Sequence, residues 1–288
     1  MKRPLTISVI IPAFNEERHI ESCLDALMTQ TVPADEIIVV DNNSTDATAQ
    51  IVRRYPGVQL IHEPRQGLVF ARNAGMEAAN GDILARIDAD AYVATQWVER
   101  LHEVYADPAV MAAGGPGKSV NLQFVGLGKS TVWSRAYLFG AQWVFNVPIL
   151  WGSNMSMRRE SWHAISPALN ADGNQVHEDQ DISLVLAQHH QKVIIDSKLI
   201  VTASPAPEKY SAYMARLYRT RMIHKKRATL QMATKRYGTL KRIMVFFVCI
   251  IPLKVIFIIG WLAGFGIHEL MRSAQSTRSA LRVWHAID

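Results

Sequence analysis

Short apolar runs, each closing on a polar turn and followed by a stretch of helical spacing, recur along the first two hundred residues. Ile7-Ser8-Val9-Ile10-Ile11 reads as a buried strand that ends at Pro12-Ala13-Phe14-Asn15-Glu16-Glu17. Asn15 is placed to cap the next helix, whose apolar face is Ile20, Leu24, Leu27 and Met28. Glu36 to Val40 is a second strand ending at Asp41, and Asn42-Asn43-Ser44-Thr45-Asp46 turns into a capped helix reaching about Tyr55. Val58 to Ile61 is a third strand, and a helix is predicted over 67–79. Gly81-Asp82 then leads into Ile83-Leu84-Ala85-Arg86-Ile87, a run apolar enough to lie inside a sheet. Strands alternating with helices in this way imply βαβ crossovers and a central, mostly parallel sheet flanked by helices.

The alternation loosens past Asp90. Val110 to Gly114 reads as a strand, Gly114-Gly115-Pro116-Gly117 as a turn, and residues 130–151 are dense in aromatic side chains, which suit a core or a membrane interface. Trp151 to Met157 reads as a turn into a strand, with a helix from Arg159. His177-Glu178-Asp179-Gln180-Asp181 opens another helix, and Val193 to Asp196 is strand-like.

Composition changes the picture at the C-terminus. The formal charge of +6 is concentrated in residues 216–242, which carry ten Lys or Arg and no Asp or Glu. Such a run favours a polyanionic partner. Residues 243–267 follow as an apolar stretch, interrupted by Pro252 and Lys254, that as one helix would be about 37 Å long, enough to cross a bilayer. A kinked span, a re-entrant hairpin and an interfacial helix pair all fit it. The apolar segment directly after the basic one favours lipid over nucleic acid as partner. If 243–267 crosses, the seven Lys or Arg in 223–242, against three beyond 267, hold the N-terminal part on the cytoplasmic side. The expected organisation is therefore 1–208 as an α/β catalytic domain, 209–242 as a basic helical region, 243–267 as a membrane-associated helix or hairpin, and 268–288 as a tail. Two cysteines, Cys23 and Cys249, exclude a disulfide framework and a cysteine-based metal site.

Acidic residues stand where elements end or begin: Asp41, the Asp88-Ala89-Asp90 pair, and Glu178-Asp179. In a parallel sheet Asp41 and Asp88 leave the same edge, the edge at which open α/β sheets bind ligands. Two carboxylates one residue apart suit a hard cation or a sugar diphosphate. Each also has a purely structural role available. Asp41 can form an Asx turn, Asp90 or Thr95 can cap the helix starting near Gln96-Trp97, and Asp179 can complement a helix dipole.

Taken in order, six segments resemble the family 2 inverting glycosyltransferases with the Rossmann-like GT-A fold. They are Ser8 to Glu17, Glu36 to Asp46, Ala71-Arg72-Asn73-Ala74-Gly75 with Asn80-Gly81-Asp82, Asp88-Ala89-Asp90, Gly152-Ser153-Asn154-Met155, and Glu178-Asp179-Gln180-Asp181. The resemblance spans about residues 5–225 and implies a role for each segment. Pro12, Ala13, Asn15 and Glu16 would line the nucleotide pocket, Asp41 would bind the base, and Asp88 with Ala89 would hold the ribose side. Asp90, with Asp88, would hold Mn2+ or Mg2+ against the diphosphate. Gly152, Ser153 and Asn154 would wall the acceptor side. Asp179, beside Glu178, would deprotonate the acceptor hydroxyl.

The implied activity is transfer of a sugar from a nucleotide-diphosphate donor, a UDP-sugar first of all. The basic stretch beside the apolar segment suggests an acceptor hydroxyl or phosphate on a membrane-associated molecule, such as a polyprenyl phosphate or a lipid-linked sugar, at the cytoplasmic face of a bacterial membrane. Arg216, Arg219 and Arg221 either clamp its phosphate groups or only anchor the enzyme to anionic lipid. The Gln-x-x-Arg-Trp motif of processive members is missing, which disfavours polymer synthesis. Ser204-Pro205-Ala206-Pro207 has no histidine where many members place a metal ligand, leaving His177 or His224 as substitutes. The first-strand turn also lacks the Gly-rich basic loop of nucleotidylyltransferases. A catalytically inactive nucleotide-sugar sensor is the remaining alternative.

Overall fold

A computed structural model describes residues 3–119, 147–170 and 176–203. The expected segments at 209–242, 243–267 and 268–288, together with Arg219, Arg221 and His224, lie outside the described residues, as do most of the aromatics between 130 and 151.

Among the described residues, ten strands form two sheets. The larger contains β1 (Ile7–Ala13), β2 (Glu36–Asp41), β3 (Val58–His62), β4 (Ile83–Arg86), β6 (Ala112–Gly114), β8 (Met155–Arg158) and β9 (Val193–Ile195), in the order β3-β2-β1-β4-β8-β6-β9. The smaller is β5 (Ala91–Val93), β10 (Val201–Ala203) and β7 (Gly117–Ser119), in the order β5-β10-β7. β3, β2, β1 and β4 run parallel, as expected, but β8 is antiparallel to both β4 and β6, so the sheet is mixed. The reversal matters for the site: it brings the residues before β8 to the same edge as the residues after β4, with Arg86 opposite Met155.

Strand alternation sorts the core into two layers. Ile7, Val9, Ile11, Ile37, Val39, Ile83 and Ala85 pack with helices α1 (Ile20–Met28), α2 (Thr48–Val52) and α4 (Trp97–Tyr105). The intervening Ile10, Ile38, Val40 and Leu84 pack with α3 (Leu68–Ala78), α5 (Arg159–Ile165) and α6 (Glu178–Gln188). Arg86 continues the second series after Leu84, so an arginine is carried into that layer by the pleat.

Four local expectations need correction. Asn15 does not cap α1. It sits at φ 56°, its Oδ1 accepts the Thr45 amide at 2.8 Å, and α1 begins only at Ile20. Neither Asp90 nor Thr95 caps α4, whose N-cap is Gln96. Helix α2 ends at Val52 rather than near Tyr55, and Met28, expected on the apolar face of α1, is exposed. β10, only three residues long, goes unrecognised in the sequence because no period shows in so short a run.

Strand order reverses between β1 and β4, with β2 and β3 lying beyond β1 and the later strands beyond β4. That is the switch point at which an open α/β sheet leaves a crevice. Helix α3 crosses β1 and β2 closely, and Gly75 is what lets it do so. A Cβ there would lie 2.4 Å from Ile10 Cγ2 and 3.0 Å from Val40 Cγ2. Gly75→Ala should therefore lower stability by about 1–3 kcal/mol, the usual cost of overpacking, read as a lower denaturation midpoint of the full chain.

Candidate active site

The crevice at the carboxyl edge is built first from two loops that cap each other. After β1, the amides of Asn15, Glu16 and Glu17 donate to Ser44 Oγ (3.0 Å), Thr48 Oγ1 (2.8 Å) and Asp46 Oδ2 (3.0 Å). In return Asn15 Oδ1 accepts the Thr45 amide, and Glu17 Oε2 accepts the Ala47 amide at 3.0 Å. Pro12 and Ala13 are the buried end of β1, while Asn15 is exposed and Glu16 half-buried on the loop. Buried Asn42 ties in a third loop: its Nδ2 donates to the Glu63 and Arg65 carbonyls, and its Oδ1 accepts the Gly67 amide at 2.7 Å. No signal beyond its turn position marks Asn42 in the sequence.

Asp41, at the end of β2, is buried and accepts the Ser44 amide at 3.1 Å, which is the Asx-type turn. Its other oxygen lies 3.6 Å from Nδ1 of exposed His62, its register partner on β3.

Asp88 and Asp90 lie in the turn between β4 and β5, and their surroundings differ. Asp88 Oδ1 accepts Arg86 Nη2 at 2.8 Å, and Asp88 Oδ2 accepts the Ser153 hydroxyl. Ala89 between them is buried. The Asp90 carboxylate accepts no hydrogen bond from another described residue's side chain. Burial, then the charges of Asp88 and Glu16, push its pKa up to about 7. Below the turn, burial and the same carboxylates also raise the thiol pKa of Cys23, whose Sγ faces the Asp88 carbonyl. A negative turn whose outermost carboxylate is offset only by His19, against burial and two neighbouring carboxylates, is chemically suited to a hard divalent cation. Among the described residues, however, no three His, Cys, Asp or Glu side chains group to hold a metal by themselves.

Opposite stands the N-terminus of α6. Glu178 and Asp179 are consecutive, so they leave the helix about 100° apart and face different partners. Glu178 is gripped by two arginines that are each only 1% exposed: Arg72 of α3 donates to Oε2 at 2.7 Å, and Arg86 Nη1 donates to Oε1. Arg72 also reaches Asn73 Oδ1 and lies 5.6 Å over the Trp162 ring of α5. Asp179 accepts the Gly152 amide at 3.1 Å through Oδ2, and the His177 ring and Gln180 amide through Oδ1. Burial opposes its ionisation, but His177, the Gly152 amide and Arg86 outweigh that and hold its carboxyl below the ordinary range.

The residues before β8 complete the wall. Gly152 lies against the Arg86 guanidinium, and Ser153 binds Asp88. Asn154, 1% exposed, has its amide engaged in the interior, accepting Trp97 Nε1 at 3.1 Å and donating to the Leu199 carbonyl at 2.8 Å. The two arginines are what the sequence reading left without a role. The signal for Arg86 was there: one charge inside an otherwise apolar strand.

A crevice at a switch point, ringed by carboxylates on β2, β4 and α6, defines a nucleotide-binding α/β enzyme architecture. The model of glycosyl transferase family 2 matches residues 8–165, and the chain belongs to that family. It is 40% identical over 116 residues to glycosyltransferase AglE of Haloferax volcanii. A 122-residue stretch is 30% identical to a dolichyl N-acetyl-glucosaminyl phosphate glucuronosyltransferase of Methanococcus voltae. Each match covers 38% of this chain and 38% of the relative, so well under half of either relative's length is spanned. Among solved structures, a mannosyltransferase of Pyrobaculum calidifontis in complex with GDP-Man and Mn2+ superposes with a TM-score of 0.58. It is 25% identical, covering 74% of this chain and 61% of that one. The expected GT-A architecture and enzyme class are thereby shown.

Arg72 is the test of the buried cluster. Arg72→Met should destabilise the full chain by about 3–5 kcal/mol, the cost of stripping one partner from a buried pair, seen in the thermal midpoint. Arg54→Met, removing one partner of the exposed Arg54–Glu21 pair (3.9 Å), should leave that midpoint close to wild type.

Proposed function

We propose that this chain is an inverting glycosyltransferase that moves a sugar from a nucleotide-diphosphate donor to a hydroxyl of a membrane-associated acceptor. One observation carries the reading. A buried carboxylate, Asp179, is held at a helix N-terminus across the crevice from the Asp88 turn, with hydrogen bonds to both oxygens. Against burial, its carboxyl pKa is held below the ordinary range by His177, the Gly152 amide and Arg86. A carboxylate held ionised in this way is equipped to take a proton.

In this reading the donor lies over the carboxyl ends of β1, β2 and β4. Pro12, Ala13, Asn15 and Glu16 line the nucleotide, Asp41 receives the base, and Asp88 with Ala89 receives the ribose. Asp90, assisted by Asp88, would hold Mn2+ or Mg2+, which when bound would supply Lewis-acid stabilisation of the departing nucleoside diphosphate. The acceptor enters beside Gly152 and Ser153. Its hydroxyl gives its proton to Asp179, and the oxygen bonds to the anomeric carbon from the opposite face. The bond to the diphosphate oxygen breaks with its electron pair leaving on the nucleotide, and the anomeric configuration inverts.

Three facts support a lipid-linked acceptor: the basic stretch 216–242, the apolar stretch 243–267, and a relative whose name specifies a dolichyl-phosphate sugar. The reading assigns residues 1–208 to catalysis, with 209–242 and 243–267 bringing the enzyme to the cytoplasmic face of the membrane and Arg219 and Arg221 to the acceptor phosphate. The Pyrobaculum enzyme binds GDP-Man and Mn2+, so GDP-sugars belong in the donor test beside UDP-sugars.

The test incubates the purified full chain with native membranes, Mn2+ and radiolabelled UDP- and GDP-sugars, and follows label into organic solvent. Label should move with one donor. Asp179→Asn should reduce the rate about 100- to 10,000-fold, the range for losing a general base. Nucleotide binding without transfer from any donor would favour the inactive sensor. Chelation should also abolish transfer, and Asp90→Asn should weaken Mn2+ binding, followed by the electron paramagnetic resonance of the free ion, while leaving the thermal midpoint near wild type.

A further inference from the structure

Arg86 joins the two sides of the crevice. Its Nη2 donates to Asp88 at 2.8 Å, its Nη1 donates to Glu178, and Glu178 is bonded in sequence to Asp179. A second connection runs beside the first. The Gly152 amide donates to Asp179, and a Cβ on Gly152 would lie 2.9 Å from Arg86 Nη1 and 3.3 Å from its Cζ and Nη2. The guanidinium plane is therefore the surface against which the 152 peptide rests. We propose that Arg86 is a positioning residue for sugar transfer: through Glu178 and Gly152 it fixes the distance between the donor-holding turn at Asp88 and the proton acceptor at Asp179.

Stability alone is a poor account of this arginine. Its Nε is buried with no hydrogen-bond partner among the described residues. An unpaired buried donor is destabilising. Replacing buried ion pairs by apolar side chains of similar volume is often neutral or favourable. What an apolar side chain cannot do is hold two carboxylates from different elements with one rigid plane, and a lysine ammonium lacks that planar fork. The demand for a fork at this point is geometric. Asp88 and Glu178 are separated by 90 residues, and this guanidinium hydrogen-bonds to both, while the 152–153 peptide joins Asp88 to the neighbouring Asp179.

The proposal rests on the glycosyltransferase reading of the site, and the test separates the two. The full chain with Mn2+ is assayed for hydrolysis of UDP-glucose, UDP-GlcNAc and GDP-mannose, with water as acceptor, and for binding of UDP and GDP by calorimetry. Arg86→Lys should lower kcat for hydrolysis about 10- to 100-fold, the scale of a misplacement near 1 Å, while the Kd of the nucleoside diphosphate shifts by less than about threefold. Gly152→Ala, which leaves every charge in place but pushes on the guanidinium, should do the same. Because both act on one geometry, the double variant should fall well short of the product of the single effects.

If Arg86→Lys does not fold, Gly152→Ala decides the matter alone by its kcat at unchanged nucleotide affinity. An Arg86→Lys or Gly152→Ala enzyme that hydrolyses donor within about threefold of wild type overturns the positioning role and leaves the glycosyltransferase reading standing. So do single effects that simply multiply. A wild-type chain that binds neither nucleotide, or hydrolyses no donor, overturns both.

Discussion

The structure depends on burying two guanidinium groups and one carboxylate between a strand and two helices. Arg72 on α3, Arg86 at the end of β4 and Glu178 at the start of α6 share a site from which water is almost wholly excluded. Taking ions out of water costs several kcal/mol each, which mutual attraction repays only when the geometry is good. Separating any one of the three elements would leave an uncompensated charge inside the protein. The cluster thus acts as a constraint more than as a source of stability: it admits one relative placement of α3, β4 and α6. Arg72 extends the constraint to α5 through the Trp162 ring, and Trp162 returns to α3 through its Nε1 bond to Glu77 at 2.8 Å.

The antiparallel β8 makes that constraint useful. In an all-parallel sheet the turn preceding a strand lies at the amino edge, away from the crevice. Here the register of β8 against β4 sets Met155 opposite Arg86, so Gly152 and Ser153 fall beside Arg86 and Asp88. The side chain of Ser153 and the amide of Gly152 then reach, respectively, the turn after β4 and the helix α6. One short peptide touches both halves of the site, and it can approach the guanidinium because residue 152 has no side chain.

Much of this was legible in the sequence, for definite reasons. Buried strands of a parallel sheet are nearly continuous apolar runs, so β1, β2 and β4 announce themselves, and their ends place Asp41 and Asp88 at one edge. The family segments read in order gave the enzyme class. Asn15 was misread because a polar residue just ahead of a helical pattern looks like a cap. Its actual partner, Thr45, comes from another loop, and single-sequence patterns carry no information on such pairing. Arg72 and Arg86 escaped assignment for the same reason: their meaning comes from Glu178, which is 106 residues from Arg72 and 92 from Arg86. The direction of β8 was likewise invisible, because four residues, Met155 to Arg158, give no hint of parallel or antiparallel pairing.

The two carboxylates of the β4–β5 turn, equivalent on paper, are made unequal by the fold. Asp88 has a counter-charge in Arg86 and a hydroxyl in Ser153, so the protein itself holds and orients it. Asp90 has no such hydrogen bonds, and burial, then the charges of Asp88 and Glu16, outweigh His19 and push its pKa up to about 7. The fold thus leaves one carboxylate committed to the protein framework and one offset within the protein only by His19. In the proposed reading that asymmetry would make Asp90 the principal metal contact and Asp88 the fixed point against which the donor is aligned.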